Sequence, residues 1–73
     1  MPRYRCPIDG CDSELTFVGP CVGYPTYDLW ICSNKHDIAL YKFPAIARQS
    51  DVCILKGNRL EDTLKTRVDI ALE

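Results

Sequence analysis

The amino-acid sequence predicts a small α+β domain, in which a three-stranded antiparallel sheet is followed by a short strand or connector and a C-terminal amphipathic helix. The chain has 73 residues, which is enough for one domain. Three runs of β-favouring residues alternate with turn-forming residues, and a helix-capping pattern precedes the last apolar stripe. A chain of this length has a core that contributes only roughly 3–5 kcal/mol, so we expect a further stabilising element.

The three predicted strands lie in the first part of the chain. Residues 14–18 alternate polar and apolar side chains, and residues 26–32 and 38–43 form the second and third runs, the last one ended by Pro44. Residues 19–25 contain two glycines and two prolines, which is typical of a hairpin loop. We therefore predict a sheet within residues 1–43, a connector or short strand over 44–57 and a helix over 58–73, all in one compact domain.

The predicted helix depends on two features of the C-terminal segment. Asn58 is followed three residues later by Glu61, which favours a capping box, with Gly57 and Asn58 as the break after a possible strand over residues 52–56. Residues 45–51 fit either a short helix or a connector. At helical spacing, one face carries Leu60, Leu64, Val68, Ala71 and Leu72. This stripe either packs on the sheet or binds a partner or a second copy of the chain.

Four residues have the spacing of a metal site. Cys6 and Cys11 form one short-spaced pair, Cys32 and His36 form another, and residues 9–10 and 33–34 favour tight turns between the members. Zinc binds four such ligands tetrahedrally, so we predict one structural zinc ion held by Cys6, Cys11, Cys32 and His36. Cys21 lies near the predicted hairpin tip, too far away to join, and Cys53 lies in an apolar run typical of an inert core cysteine.

Residues 4–43 resemble the zinc-ribbon family, a group of rubredoxin-like, zinc-stapled β-hairpins. The resemblance depends on Arg5-Cys6-Pro7, the long hairpin, Leu29-Trp30-Ile31-Cys32 entering the second ligand pair, and a strand directly after His36. It implies a zinc-stapled sheet and a role in binding or assembly rather than catalysis. The ligand pairs are more widely spaced than is usual and one cysteine is replaced by histidine, so no subfamily is assigned. The predicted fold class is thus a small zinc-stabilised α+β domain, a three-stranded zinc ribbon with a C-terminal amphipathic helix.

The distribution of charge separates the possible functions. Residues 6–43 carry two basic and five acidic side chains, a net charge of −3, whereas nucleic-acid binders usually display clustered cations. We therefore expect a non-enzymatic interaction module that docks on a protein assembly or self-associates. Its candidate partner-binding residues are Tyr27, Trp30, Tyr41, Leu64, Val68 and Leu72.

Three other functions stay open at this stage. A nucleic-acid-associated, transcription-type regulator would depend on Arg3, Arg5 and Lys42. An iron electron carrier is disfavoured by the histidine ligand. An enzyme is disfavoured because four protein ligands leave no open metal position and the sequence contains no phosphate-binding or nucleophile motif.

The sequence also bears on location. No apolar run exceeds four residues, and no apolar segment follows the basic residues at the N-terminus. We expect an intracellular, cytoplasmic protein with reduced cysteines, no membrane association and no small-molecule substrate.

Overall fold

Short β-favouring runs separated by turns fold into a five-stranded antiparallel sheet. The computed structural model describes residues 3–42 and 51–72, and within them each strand pairs with its neighbour in sequence, giving the order β1-β2-β3-β4-β5. The elements are β1 (Thr16–Pro20), β2 (Tyr27–Ile31), β3 (Asp37–Tyr41), β4 (Val52–Lys56), β5 (Arg59–Lys65) and a four-residue helix, α1 (Arg67–Ile70). This up-and-down order needs no crossover connection.

Alternation of side chains gives the sheet two apolar faces. Trp30 pairs with Ile38, which pairs with Ile54. Trp30 and Ile38 belong to the larger buried cluster, and the partly buried Ile54 packs against it. Ala39 and Cys53, which pair with each other, lie on the opposite face in a second cluster. Because successive residues of a strand point to opposite faces, the register of β2, β3 and β4 separates the two clusters.

The two ends of the described chain meet on the face of the larger cluster. The backbone N–H of Arg5 donates to Ile70 over 2.9 Å, and that of Leu72 donates to Arg3 over 2.9 Å. Ile70 is fully buried in the larger cluster. The segment immediately before Cys6 is therefore held by the last residues that follow β5.

The predicted C-terminal helix over residues 58–73 is wrong, and with it the predicted fold class. Residues 59–65 form β5, which pairs with β4, so the sheet has five strands instead of three. Lys56 pairs with Arg59, which leaves Gly57 and Asn58 as a two-residue hairpin turn. Gly57 has a φ of +63° and Asn58 a negative φ, the combination of a type II′ turn. Tertiary pairing with β4 thus overrides the helical pattern of the leucines.

The helix that does form is short and begins later than predicted. Thr66 is its N-cap residue, and its backbone N–H donates to the Asp69 carboxylate over 2.8 Å. Asn58 and Glu61, the predicted cap pair, instead occupy the hairpin turn and β5, where Glu61 lies 3.4 Å from Lys56. Ile70 is the buried residue of α1, so this turn of helix anchors the chain end and forms no amphipathic stripe.

The predicted strands are present with shifted ends. The runs expected at 14–18, 26–32 and 38–43 correspond to β1, β2 and β3, and residues 52–56, for which the sequence predicts either a connector or a strand, form β4. Residues 43–50, which include most of the segment predicted as short helix or connector, lie outside the described residues. Across residues 3–42 and 51–72, no helix has the length and apolar character to cross a bilayer.

Candidate metal centre

The first pair of candidate ligands is presented by a tight loop before β1. The backbone N–H of Cys11 donates to Ile8 over 3.0 Å, and that of Cys6 donates to Ser13 over 2.8 Å. Gly10 has a φ of +84°, in the left-handed region that glycine adopts without steric cost. The Asp9-Gly10 turn therefore reverses the chain and turns both sulfur atoms toward the sheet.

The second pair lies in the turn between β2 and β3. The backbone N–H of Lys35 donates to the carbonyl of Cys32 over 2.9 Å. Lys35 has a φ of +65°, which is uncommon for residues other than glycine. The backbone N–H of Cys32 donates to His36 over 3.3 Å. Closing this turn brings the Cys32 and His36 side chains to the same side of the sheet end.

The two loops bring all four predicted ligands together. One ligand atom from each of Cys6, Cys11, Cys32 and His36 lies within 4.8 Å of the others, close enough to hold a metal ion. The three cysteines are buried and His36 is half-buried. None of the five cysteines, all of which lie in the described ranges, forms a disulfide bond.

Three of the six separations between ligand atoms are close to those of a tetrahedral site. The Cys11 and Cys32 sulfurs are 3.7 Å apart, and the His36 Nδ1 atom is 3.6 Å from the Cys6 sulfur and 3.3 Å from the Cys32 sulfur. Ideal tetrahedral zinc has Zn–S and Zn–N bonds of about 2.3 and 2.05 Å, which place sulfurs about 3.8 Å apart and sulfur and nitrogen about 3.6 Å apart. The arrangement is consistent with one zinc ion.

The cysteine sulfurs are in different electrostatic surroundings. Burial raises the pKa of Cys6 to about 12, against the opposing effect of a backbone hydrogen bond from Ile8. The Asn34 side chain, followed by the backbone N–H of Ser13, lowers the pKa of Cys11 to about 6. The backbone N–H of His36 donates to the Cys32 sulfur over 3.3 Å. A bound divalent cation would favour the thiolate form at all three cysteines.

The predicted partner-binding residues are not gathered in one place. Trp30 is buried, and the centroid of its ring lies 5.3 Å from that of Tyr4 and 5.4 Å from that of Phe17. Tyr27 and Tyr41 are half-buried on the other face of the sheet and contact each other edge to face at 5.2 Å. Leu64, Val68 and Leu72 are exposed near the end of the chain, at 79%, 83% and 38%.

Two of the three cations predicted for a nucleic-acid function lie beside carboxylates. Arg3 donates from both Nε and a terminal nitrogen to the Glu14 carboxylate over 3.1 Å, which lowers the pKa of Glu14. Lys42 lies 3.8 Å from Asp28. The Arg5 side chain is exposed. Cys21 and Cys53 are buried in the smaller cluster, apart from the four candidate ligands.

Two residues that the sequence did not single out contact the metal-site loops. The Asn34 side chain donates to the Cys11 sulfur over 3.1 Å, and Lys65 Nζ in β5 donates to the carbonyl of Pro7 over 3.0 Å. The sequence marks Asn34 only as a turn former, although its place between two candidate ligands is itself a signal. The Lys65 contact spans most of the chain and depends on β5, which the sequence predicted as helix.

Comparison of the chain with protein families, with curated proteins and with solved structures finds no significant match. The four-residue cluster is therefore defined by its own geometry.

Proposed function

We propose that this chain is a small, non-enzymatic, zinc-stapled module that binds another protein or a second copy of itself. Three thiolates and one imidazole form a donor set that suits zinc, and four protein ligands complete its tetrahedral shell. Such a site leaves no coordination position for water or substrate, which supports a structural metal. Its charge with zinc bound is −1, because three thiolates meet one doubly charged cation.

The observation that carries the binding proposal is the conformation of Leu64. Val52 pairs with Lys65 and Cys53 with Asp62, so Thr63 and Leu64 form a bulge in β5. Leu64 has a φ of +62°, a conformation that costs a residue other than glycine roughly 1–2 kcal/mol, and its side chain is 79% exposed. Leu64 thus combines an unfavourable backbone conformation with a large apolar side chain that is exposed to solvent.

Side-chain hydrogen bonds hold this bulge in place. The Leu64 backbone N–H donates to the Asp62 carboxylate over 2.9 Å, and the Thr63 hydroxyl donates to the carbonyl of Val52 over 2.8 Å. Bulges at sheet edges commonly re-aim a side chain, and strained backbone clusters at functional sites. The Asp62 and Thr63 hydrogen bonds support the interpretation that exposed Leu64 contributes to partner binding.

Val68 extends the apolar character just beyond the bulge. It lies in α1 and is 83% exposed, whereas Ile70 in the same helix is buried. A contiguous exposed apolar patch surrounded by polar residues commonly marks a protein interface. We assign the partner surface to Leu64 and Val68, with Leu72 beside them in sequence.

The nucleic-acid alternative receives less support from the same structure. Arg3 and Lys42 lie against Glu14 and Asp28, so two of its three cations are at least partly neutralised. Phosphate binding requires unneutralised cations and gives an affinity that falls steeply with salt. Submicromolar, salt-sensitive binding of DNA or RNA at physiological ionic strength would favour that alternative.

Two substitutions of Leu64 test the proposal. Leu64→Asp should abolish association, measured by sedimentation for self-association and by cross-linking to a copurified protein, without loss of zinc. Leu64→Gly should also abolish it, yet raise the free energy of unfolding by about 1 kcal/mol because glycine relieves the left-handed strain.

Val22→Asp is the matched control, because Val22 is 93% exposed in the loop between β1 and β2. It should leave association unchanged. Unchanged association of both Leu64 variants would contradict the proposed surface.

A further inference from the structure

Asn34 is placed to act on the metal site without binding the metal. It lies between Cys32 and His36 in the second loop, but its side-chain nitrogen donates to the sulfur of Cys11 in the first loop over 3.1 Å. The same nitrogen lies 3.5 Å from the Ser13 hydroxyl oxygen. One amide therefore connects the two loops that carry the ligands.

The chemistry of a metal-bound cysteine fixes the direction of this contact. A thiolate carries no proton, so it accepts hydrogen bonds and cannot donate them. The amide oxygen of Asn34 would repel the Cys11 sulfur, whereas the NH₂ group satisfies it. The nitrogen has two N–H groups, which allows simultaneous donation to Cys11 and Ser13.

Asn34 contributes little to the fold by packing. Its side chain is exposed, and it is absent from both buried clusters. The turn that Asn34 occupies is closed by two backbone hydrogen bonds, from Lys35 to the carbonyl of Cys32 and from Cys32 to the carbonyl of His36. The hydrogen bond from its side chain is thus made to Cys11, a candidate ligand of the other loop.

We propose that Asn34 is a positioning residue of the metal centre, which holds the Cys11 thiolate in its binding geometry and offsets part of the negative charge of the site. This inference rests on the proposed zinc function. Partners of this kind, which hydrogen-bond a ligand from outside, typically change metal affinity by about 10–100-fold when removed. We expect a loss of zinc affinity in that range for Asn34→Ala.

The experiment compares two pairs of variants in the full chain. Asn34→Ala is matched with Ser33→Ala, because Ser33 is the exposed neighbour in the same turn. Asn34→Asp keeps the size and turn preference of asparagine but removes both donors. Ser33→Asp adds the same charge one residue away and keeps the Asn34 contact, so it isolates the effect of charge.

Zinc affinity is measured by competition with a chromophoric chelator, and the site is examined by the absorption of the cobalt(II) form. Both Asn34 variants should bind zinc about 10–100-fold more weakly than their Ser33 partners. The sulfur-to-cobalt charge-transfer band should move to lower energy in Asn34→Ala, because loss of an N–H donor raises the energy of the sulfur electrons. A purely structural role would not shift this band.

The outcomes separate the two proposals. If the wild-type chain binds one zinc but the Asn34 and Ser33 variants match in affinity and in band position, the role of Asn34 is wrong and the zinc function stands. If the wild-type chain fails to bind zinc at all, the zinc function itself is wrong.

Discussion

At the scale of single residues, Cys32 is central to the candidate site. Its sulfur lies 3.7 Å from the Cys11 sulfur and 3.3 Å from His36 Nδ1, and it accepts the backbone N–H of His36. It also follows β2 directly, so it fixes the second loop to the sheet. Loss of this one sulfur removes a ligand and a contact to both loops.

We therefore expect Cys32→Ala to lose its tightly bound zinc, since three ligands remain and structural zinc requires four. Native mass spectrometry gives the metal stoichiometry, and circular dichroism gives the folded fraction. Cys53→Ala is the control, because Cys53 lies in the smaller cluster away from the metal site, and it should retain one zinc. One tightly held zinc in Cys32→Ala would refute the assignment.

Cys21 differs from the three candidate cysteine ligands, because it is buried in the smaller cluster and is not part of the candidate metal site. Burial, with a smaller contribution from the charge of Asp37, raises the pKa of its thiol. The thiol is therefore protonated at neutral pH and should react slowly with iodoacetamide in the folded protein, but rapidly in denaturant. Mass-spectrometric mapping of the alkylated cysteines measures this difference.

The raised pKa of Cys21 also predicts the sign of a pH effect. The folded state holds this proton to higher pH than the unfolded state, in which cysteine titrates at about pH 8.5. Its stabilising contribution is complete below that pH and is lost as the pH rises toward the folded pKa. Urea unfolding from pH 7 to 10 should show a shallower alkaline loss of stability in Cys21→Ala. An identical pH dependence in both proteins would contradict this expectation.

At the scale of elements, the β4–β5 hairpin depends on its turn. Gly57 has a φ of +63°, and Lys56 pairs with Arg59 on either side of the turn. Gly57→Ala should lower the free energy of unfolding by roughly 1–2 kcal/mol, because the left-handed conformation is costly for a residue with a Cβ atom. Urea unfolding of the zinc-loaded protein is the measurement.

Asn58→Ala is the matched control for the turn. Asn58 has a negative φ, and the Tyr24 hydroxyl donates to its backbone carbonyl, which alanine retains. It should cost less than Gly57→Ala. Equal losses in the two variants would show that the left-handed conformation of Gly57 is not the source of the effect.

The same hairpin shows where prediction from sequence succeeds and where it fails. Strands β1 to β3 are predicted from β-branched and aromatic runs bounded by glycine and proline, whereas the segment that forms β4 fits either a strand or a connector. Residues 59–65 were predicted as helix because Leu60 and Leu64, four residues apart, satisfy a helical stripe as well as a strand face. Gly57-Asn58 is a hairpin signal in its own right, but pairing of β5 with β4 is a non-local event that the stripe conceals.

The candidate site was easier to predict than the fold around it. Its ligands come from two local pairs, so spacing alone brings Cys6 close to Cys11 and Cys32 close to His36. That the two pairs meet follows from the hairpin joining β1 and β2. The contacts of Asn34 and Lys65 join distant parts of the chain, and nothing in the spacing of residues specifies them.

At the scale of the whole molecule, the candidate metal site and the larger buried cluster form one unit. Cys6, Cys11 and Cys32 belong to the same cluster as Trp30 and Ile70. Ile70 lies in the segment that pairs with residues 3–5, immediately before Cys6. Loss of metal is therefore expected to release the first loop and, with it, the contact between the two chain ends.

The smaller cluster contains none of the four candidate ligands. It contains Cys21, Ala39 and Cys53 on the opposite face, with half-buried tyrosines and leucines packed against them. Its residues are covered by the hairpin loop, where Tyr24 reaches the turn at Asn58. However, both clusters share the strands β2, β3 and β4, so their stabilities are coupled through the sheet.

Removal of zinc by a chelator should therefore unfold the protein cooperatively. Structural zinc contributes an apparent 10–16 kcal/mol in small peptides, more than a core of this size supplies. Trp30 is the single tryptophan and is 8% exposed beside the ligand cysteines, so its fluorescence should shift to longer wavelength as water reaches the ring. Added zinc should restore the original spectrum. Unchanged tryptophan fluorescence and near-ultraviolet circular dichroism in protein shown by elemental analysis to be metal-free would mean that the sheet is stable without its metal.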